Sequence, residues 1–259
     1  MDKEEQQIKS KERVKDFGEV FTNPREVKAM LDLVKDESYR IDSRFLEPAC
    51  GNGNFLIEIL ARKLQTVNET AKSRQEWKML TLVGLGSIYA IDIQADNVEE
   101  SRERLLTHIK KVYKEKFGEE LSLDYLSALN EVLVKNIIHG DGLTGLQHGV
   151  GAGKEILFSE WSFDNWLETG EVIRKDFSMN EMIAHNKRVE AAEKITSQAG
   201  SLFSLAPQKE VVEELKPVYV ENYAKFYEYW EAPLTECLYW CERWKLKAMV
   251  DHNRFIIAF

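Results

Sequence analysis

Cysteine is scarce: Cys50, Cys237 and Cys241 are the only three in 259 residues. An odd trio cannot build a disulfide framework and fits a reducing cytosol. Cys237 and Cys241 stand without a second Cys/His pair, so no metal site is expected. Long apolar runs are missing too. No stretch reaches the about 18 apolar residues that a membrane helix needs. Residues 1–16 are charged and mixed in sign, unlike a secretory signal. The expectation is a cytoplasmic protein with no membrane association. Prolines number five, and no two are adjacent. A basic excess is also missing: 35 Lys and Arg face 44 Asp and Glu, a formal charge of −9. A chain that grips nucleic acid unaided usually carries a basic face, so this balance weighs against that role.

What is present is an alternation. Pro24 opens an apolar helical pattern through Val27, Met30, Leu31 and Val34, with Thr22 or Asn23 as its cap. A short strand, residues 44–46, ends at Glu47. A helix then carries Phe55, Leu56, Ile59, Leu60 and Leu64, and the polar residues 65–80 extend it or form an insertion. A strand over 87–91 stops at Asp92, and a long amphipathic helix spans 96–113. A further helical stretch covers 121–133, a strand 136–139, a glycine-rich loop 145–153, and another strand 155–158. Strand and helix in turn mean α/β, with a parallel sheet wound by right-handed crossovers. From 181 to 250 the pattern is mostly helical and rich in Tyr, Phe and Trp. These aromatics read as core, with stacking on exposed bases as the alternative. Residues 254–259 read as a strand rejoining the sheet.

Chemistry concentrates at the strand ends. The loop Glu47-Pro48-Ala49-Cys50-Gly51-Asn52-Gly53-Asn54-Phe55 follows a strand and opens a helix. Gly51 and Gly53 permit a tight turn and a close ligand approach. A dinucleotide fingerprint would carry a third glycine where Leu56 stands. Glu47 would repel a pyrophosphate but pair with the ammonium of a methionine moiety, which favours S-adenosyl-L-methionine over a nicotinamide cofactor. Asp92 can accept from ribose hydroxyls, and Asp141 from an adenine amino group. Asp141-Gly142 also suits a plain turn, and Asp92 a helix cap. Residues 149–154 lack the spacing and the Ser/Thr of a phosphate loop and read as an ordinary loop.

Residues 45–55 resemble the cofactor motif of the N6-adenine DNA methyltransferases of restriction-modification systems. Gly18-Glu19-Val20-Phe21-Thr22-Asn23-Pro24 is similar to the family's preceding motif, written with F-T-P, with Asn23 as one inserted residue. Ile91-Asp92-Ile93 and His139-Gly140-Asp141-Gly142 resemble its ribose and adenine motifs. The match covers about residues 17–160. It implies a Rossmann-like methyltransferase core over 1–165 and a mostly helical C-terminal part over 166–259. It also implies roles. Phe21 and Thr22 would border the methionine end, Glu47 would hold its amino group, and residues 48–55 would shape the pocket. Asp92 with Ile93 would bind the ribose, and Asp141 with Gly142 the adenine. DNA is the expected substrate, with a recognition or restriction subunit as a possible partner. The family's acceptor tetrapeptide, Asp/Asn/Ser-Pro-Pro-Tyr/Phe/Trp, has no counterpart with prolines here. After Ile156-Leu157-Phe158 the chain reads Ser159-Glu160-Trp161-Ser162-Phe163, so Ser159 and Trp161 are the expected polar and aromatic ends of the catalytic segment, beside the transferred methyl. RNA, protein or a small amine is the alternative acceptor, and a cofactor-binding subunit the alternative role.

Overall fold

A computed structural model describes residues 8–162, 172–179, 181, 219–222 and 255–257. Three short helices lead: α1 Lys11–Phe17, α2 Pro24–Asp32 and α3 Lys35–Tyr39. Asn23 caps α2 by accepting from the Arg25 amide, with Pro24 in the first turn. There the ring costs no hydrogen bond. Strand β1 (Arg44–Glu47) follows, then α4 (Asn54–Thr70), α5 (Arg74–Gly86), β2 (Ile88–Asp92), α6 (Ala95–Phe117), α7 (Leu123–Asn136) and β3 (Ile137–Asp141). Each crossover therefore carries two helices. The polar run after α4 does break: Ser73 caps α5 by accepting from the Glu76 amide.

Strands β1, β2 and β3 are parallel, with Phe45 opposite Ile88 and Ala90 opposite Ile137. The two-residue β4 (Leu146–Gln147) runs antiparallel along β3. On the far side of β1 lies β8 (Phe255–Ile257), parallel to it, with Leu46 opposite Ile257. The expected final strand does rejoin the sheet. The protein is thus a mixed α/β structure with a mixed five-stranded sheet.

Side chains alternate between the sheet's two faces. Phe45, Ile88, Ala90 and Ile137 pack against the helices in one large core. Leu46, Tyr89 and Ile91 join a second core with Ile156, Phe158, Phe177 and Met179. Strands buried on both faces read as continuous apolar runs, as Ile88–Ile91 does.

The second core belongs to another layer, and here the expectation of one parallel sheet fails. Strand β5 (Leu157–Ser162) leaves that sheet and pairs antiparallel with β6 (Ile173–Ser178), which pairs with β7 (Tyr219–Asn222). Its sequence explains the departure. Phe158-Ser159-Glu160-Trp161-Ser162 mixes polar residues into the run, as suits a strand that lies on a core rather than inside one. The β5–β6 pairing also spans the expected boundary at 165. Strand β7 interrupts the stretch expected to be helical. The rest of that stretch, including Cys237, Cys241 and the aromatics Tyr223 to Trp244, lies outside the described residues. Among the described residues no helix is long and apolar enough to cross a membrane.

Candidate functional site

The parallel strands end in acids: Glu47 on β1, Asp92 on β2 and Asp141 on β3. Parallel pairing puts all three at one edge, where open α/β sheets bind ligands. The loop from Glu47 to Phe55 is pinned from every side. The Cys50 amide donates to the Ile91 carbonyl at 2.8 Å. The Gly51 amide donates to Asp92 Oδ2 at 2.7 Å. Ser101 Oγ donates to the Gly51 carbonyl at 3.1 Å, and Arg104 Nη1 to the Asn52 carbonyl at 2.6 Å. Asn54 Nδ2 reaches the Thr22 carbonyl at 2.9 Å, tying the loop to the segment between α1 and α2.

Gly51 and Gly53 take φ of 52° and 86°, the left-handed region that side chains resist. Space is tight for a larger residue as well. A Cβ on Gly51 would meet the Phe21 ring at 3.1 Å, and one on Gly53 would meet Ser101 Oγ at 2.9 Å. The turn after β3 presses on the same loop, since a Cβ on Gly142 would lie 2.5 Å from the Pro48 carbonyl oxygen. Phe21, Thr22, residues 47–55, Asp92, Ile93, Asp141 and Gly142 are therefore brought together.

The acids differ in setting. Glu47 is 5% exposed. Its Oε1 accepts a 3.3 Å bond from the Ala49 amide, and its buried Oε2 has no partner. Burial, with a smaller push from Asp92, raises its pKa from 4.5 to about 8 despite that amide. An orphaned buried carboxylate oxygen is costly, and a ligand bearing an ammonium would satisfy it. Asp92 is also buried. Its Oδ2 takes the Gly51 amide, while Oδ1 takes the Gln94 amide at 2.8 Å and Asn97 Nδ2 at 3.1 Å. Burial pushes its pKa up against those bonds. The amide that a phosphate would need on this loop is thus already committed to a carboxylate. That argues against a dinucleotide. Asp141 is nearer solvent. Its Oδ1 accepts from the Leu143 amide at 2.8 Å and the Thr144 amide at 3.4 Å, and the Leu143 bond leads in lowering its pKa. It does turn work whatever else it binds. Cys50 is a free thiol pushed far up by burial and is chemically quiet.

Ser159 and Trp161 are not part of this cluster. Ile156 lies against Gly140, near the acid-bearing edge, but β5 then runs toward the opposite edge. The Ser159 amide donates to Asn136 Oδ1 at 3.0 Å, just before β3 begins. Glu160 pairs with Arg44, the first residue of β1, at 2.7 Å. Trp161 packs on Gly86, just before β2. The expected place of these residues beside the loop at 47–55 is therefore corrected: they stand at the other end of the strands. Ser159 Oγ is moreover taken by Asp176 Oδ1 at 2.6 Å, inside a buried ion pair with Arg174. Phe163 lies outside the described residues.

Sequence reasoning missed the supports: Asn97, Ser101 and Arg104, all on α6. Their spacing along the helix face over the loop was the available signal. Glu19 stands inside the 18–24 motif, where its sequence position gives no hint of the Arg13 and Asn97 contacts it makes. The loop at 148–155 is a turn closed by bonds such as Gln147 amide to Lys154 carbonyl at 2.8 Å, and no helix follows it. A comparison with protein-family models, curated proteins and solved structures found no match.

Proposed function

We propose that the protein binds S-adenosyl-L-methionine at the acid-bearing edge of its sheet and is a methyltransferase, with the N6 amino group of adenine in DNA as acceptor. The observation that carries the reading is Glu47: a buried carboxylate at a strand end, with one oxygen unpartnered, beside a loop whose first glycine amide is held by Asp92. That arrangement suits a cationic, hydroxyl-bearing ligand and disfavours a phosphate. Glu47 would hold the amino group, Asp92 the ribose, and the Asp141–Gly142 turn would border the adenine. Bound there, the cofactor supplies a sulfonium-activated methyl group. The acceptor as adenine rests on the motif resemblance alone.

The position of Ser159 and Trp161 favours a second reading, a cofactor-binding subunit that gains its acceptor site from a recognition or restriction partner. Neither residue is retained as catalytic in either reading. The test is direct. The chain, alone and with candidate partner subunits, is incubated with DNA and methyl-labelled cofactor, and the released nucleosides are identified by mass spectrometry. Labelled N6-methyladenine supports the first reading. Label that appears only with a partner supports the second. Absence of cofactor binding by calorimetry removes both.

A further inference from the structure

Asp92 has a shortage of acceptor positions. A carboxylate offers about four lone-pair sites, and Asp92 spends three of them on the Gly51 amide, the Gln94 amide and Asn97 Nδ2. One remains, whereas the two hydroxyls of a ribose need two acceptors. A second carboxylate stands next to it. Glu19 lies between α1 and α2, and its side chain is 8% exposed. Glu19 Oε2 accepts from Arg13 Nε at 2.9 Å, from Arg13 Nη2, and from Asn97 Nδ2 at 3.0 Å. Asn97 Nδ2 is the same nitrogen that donates to Asp92 Oδ1. The two carboxylates are therefore bridged by one amide group. Glu19 Oε1 is buried and has no partner. Burial raises the pKa of Asp92, and the nearby Glu19 adds a smaller push in the same direction.

We infer that Glu19 and Asp92 together form a diol clamp, in which Glu19 Oε1 accepts one ribose hydroxyl and Asp92 the other. The inference rests on the cofactor reading above. Glu19 is delivered by α1, whose Arg13 also pairs with Asp96 at 2.6 Å. Lys9, just before α1, reaches Asp96 at 3.1 Å and Glu100 at 2.7 Å. α1 buries no side chain of its own, so these ion pairs at the start of α6 hold Glu19 in place. The clamp is selective for a ligand with two adjacent hydroxyls and no nearby phosphate, since two carboxylates would repel one.

Calorimetry on the full chain with S-adenosylhomocysteine and its 2′-deoxy and 3′-deoxy forms tests this. The wild type is expected to bind the parent and to lose about tenfold for either missing hydroxyl, the order expected for a hydrogen bond to a charged group. Glu19→Ala is expected to weaken the parent about tenfold and to become indifferent to one of the two deoxy forms. Asp92→Asn is expected to keep its sensitivity to that same form. Arg13→Ala, which leaves Glu19 in the chain but unlatched, should fall between wild type and Glu19→Ala, and more so at high salt. If Glu19→Ala binds the parent and discriminates both deoxy forms as the wild type does, the clamp is wrong while the cofactor reading stands. If the wild type fails to bind S-adenosylhomocysteine at all, both fall.

Discussion

Glu47→Gln offers the sharpest test because two measurements should move in opposite directions with pH. In the folded chain without ligand, burial holds the Glu47 carboxyl protonated up to about pH 8, against an ordinary value of 4.5. Between those values the folded state keeps a proton that the unfolded chain has released. Stability therefore falls as pH rises across that window. A bound ammonium reverses the preference, because it favours the charged carboxylate. At pH 6 about one molecule in a hundred carries the ionised form that the ligand needs, and at pH 8 about half do. Affinity for S-adenosylhomocysteine should then rise about fifty-fold from pH 6 to pH 8, or about 2.3 kcal/mol, with close to one proton released per ligand near pH 6.5. Calorimetry in two buffers of different ionisation enthalpy reads both the affinity and the proton. The Gln variant has nothing to ionise, so its slope should vanish, and it should be the more stable protein without ligand at pH 9. A wild-type affinity flat from pH 6 to 8, or an equal slope in the variant, refutes the assignment of Glu47 to the amino group.

Other outcomes follow from the same geometry. Gly53→Ala places a Cβ 2.9 Å from Ser101 Oγ at a φ of 86°. It should cost about 1–3 kcal/mol in urea unfolding and weaken the cofactor with it. Trp161→Ala should lower stability by about 2 kcal/mol, as loss of a partly buried ring, yet leave cofactor affinity unchanged in a thermal-shift titration; a selective loss of affinity would restore the segment to the site. Lys63→Met should destabilise the fold. The fully buried Lys63 Nζ shares its protons among the Ile41, Ser43 and Arg40 carbonyls and Ser87 Oγ at 2.6 to 3.2 Å, and burial lowers its pKa to about 7. Removing it takes the Lys63 donor from the Ser43 carbonyl, while the Ile41 and Arg40 carbonyls keep the Ser87 Oγ and Ser43 amide donors, so the cost is about 1–3 kcal/mol, and denaturant midpoints check this.

Much of the site was legible because it is local. Glu47 to Phe55 is one loop, and the strand that presents it and the helix that follows both show in the apolar spacing. Asp92 and Asp141 could be placed because parallel strands put equivalent ends at one edge. What sequence could not give was the destination of β5. A strand that joins a parallel sheet and one that lies across its face begin alike, with Ile156-Leu157-Phe158. Only pairing with β6, decided by residues 173–178, separates them, and that partner falls in a stretch whose composition suggested a helical appendage. Glu19 illustrates another limit. Its setting depends on Asn97 and Arg13, residues far from it or outside the motif, meeting at a single carboxylate. No spacing rule encodes that meeting.

The pairing of β1 with β8 has a consequence for how the chain is made. Residues 44–46 bond to residues 255–257 across nearly the whole sequence, whereas β1, β2 and β3 are joined by local crossovers. At roughly 5–20 residues per second of synthesis, β1 waits about ten to forty seconds for its outer neighbour. During that wait Phe45 and Leu46 sit in a strand whose outer backbone groups are bare, an invitation to pair with another nascent chain. Among the described residues, the charge of Arg44 at the start of β1 guards against such pairing, whereas Glu47 at its end is held largely uncharged by burial. Production yield should therefore depend on crowding of ribosomes on the message and on chaperone supply more steeply than the stability of the finished protein would suggest.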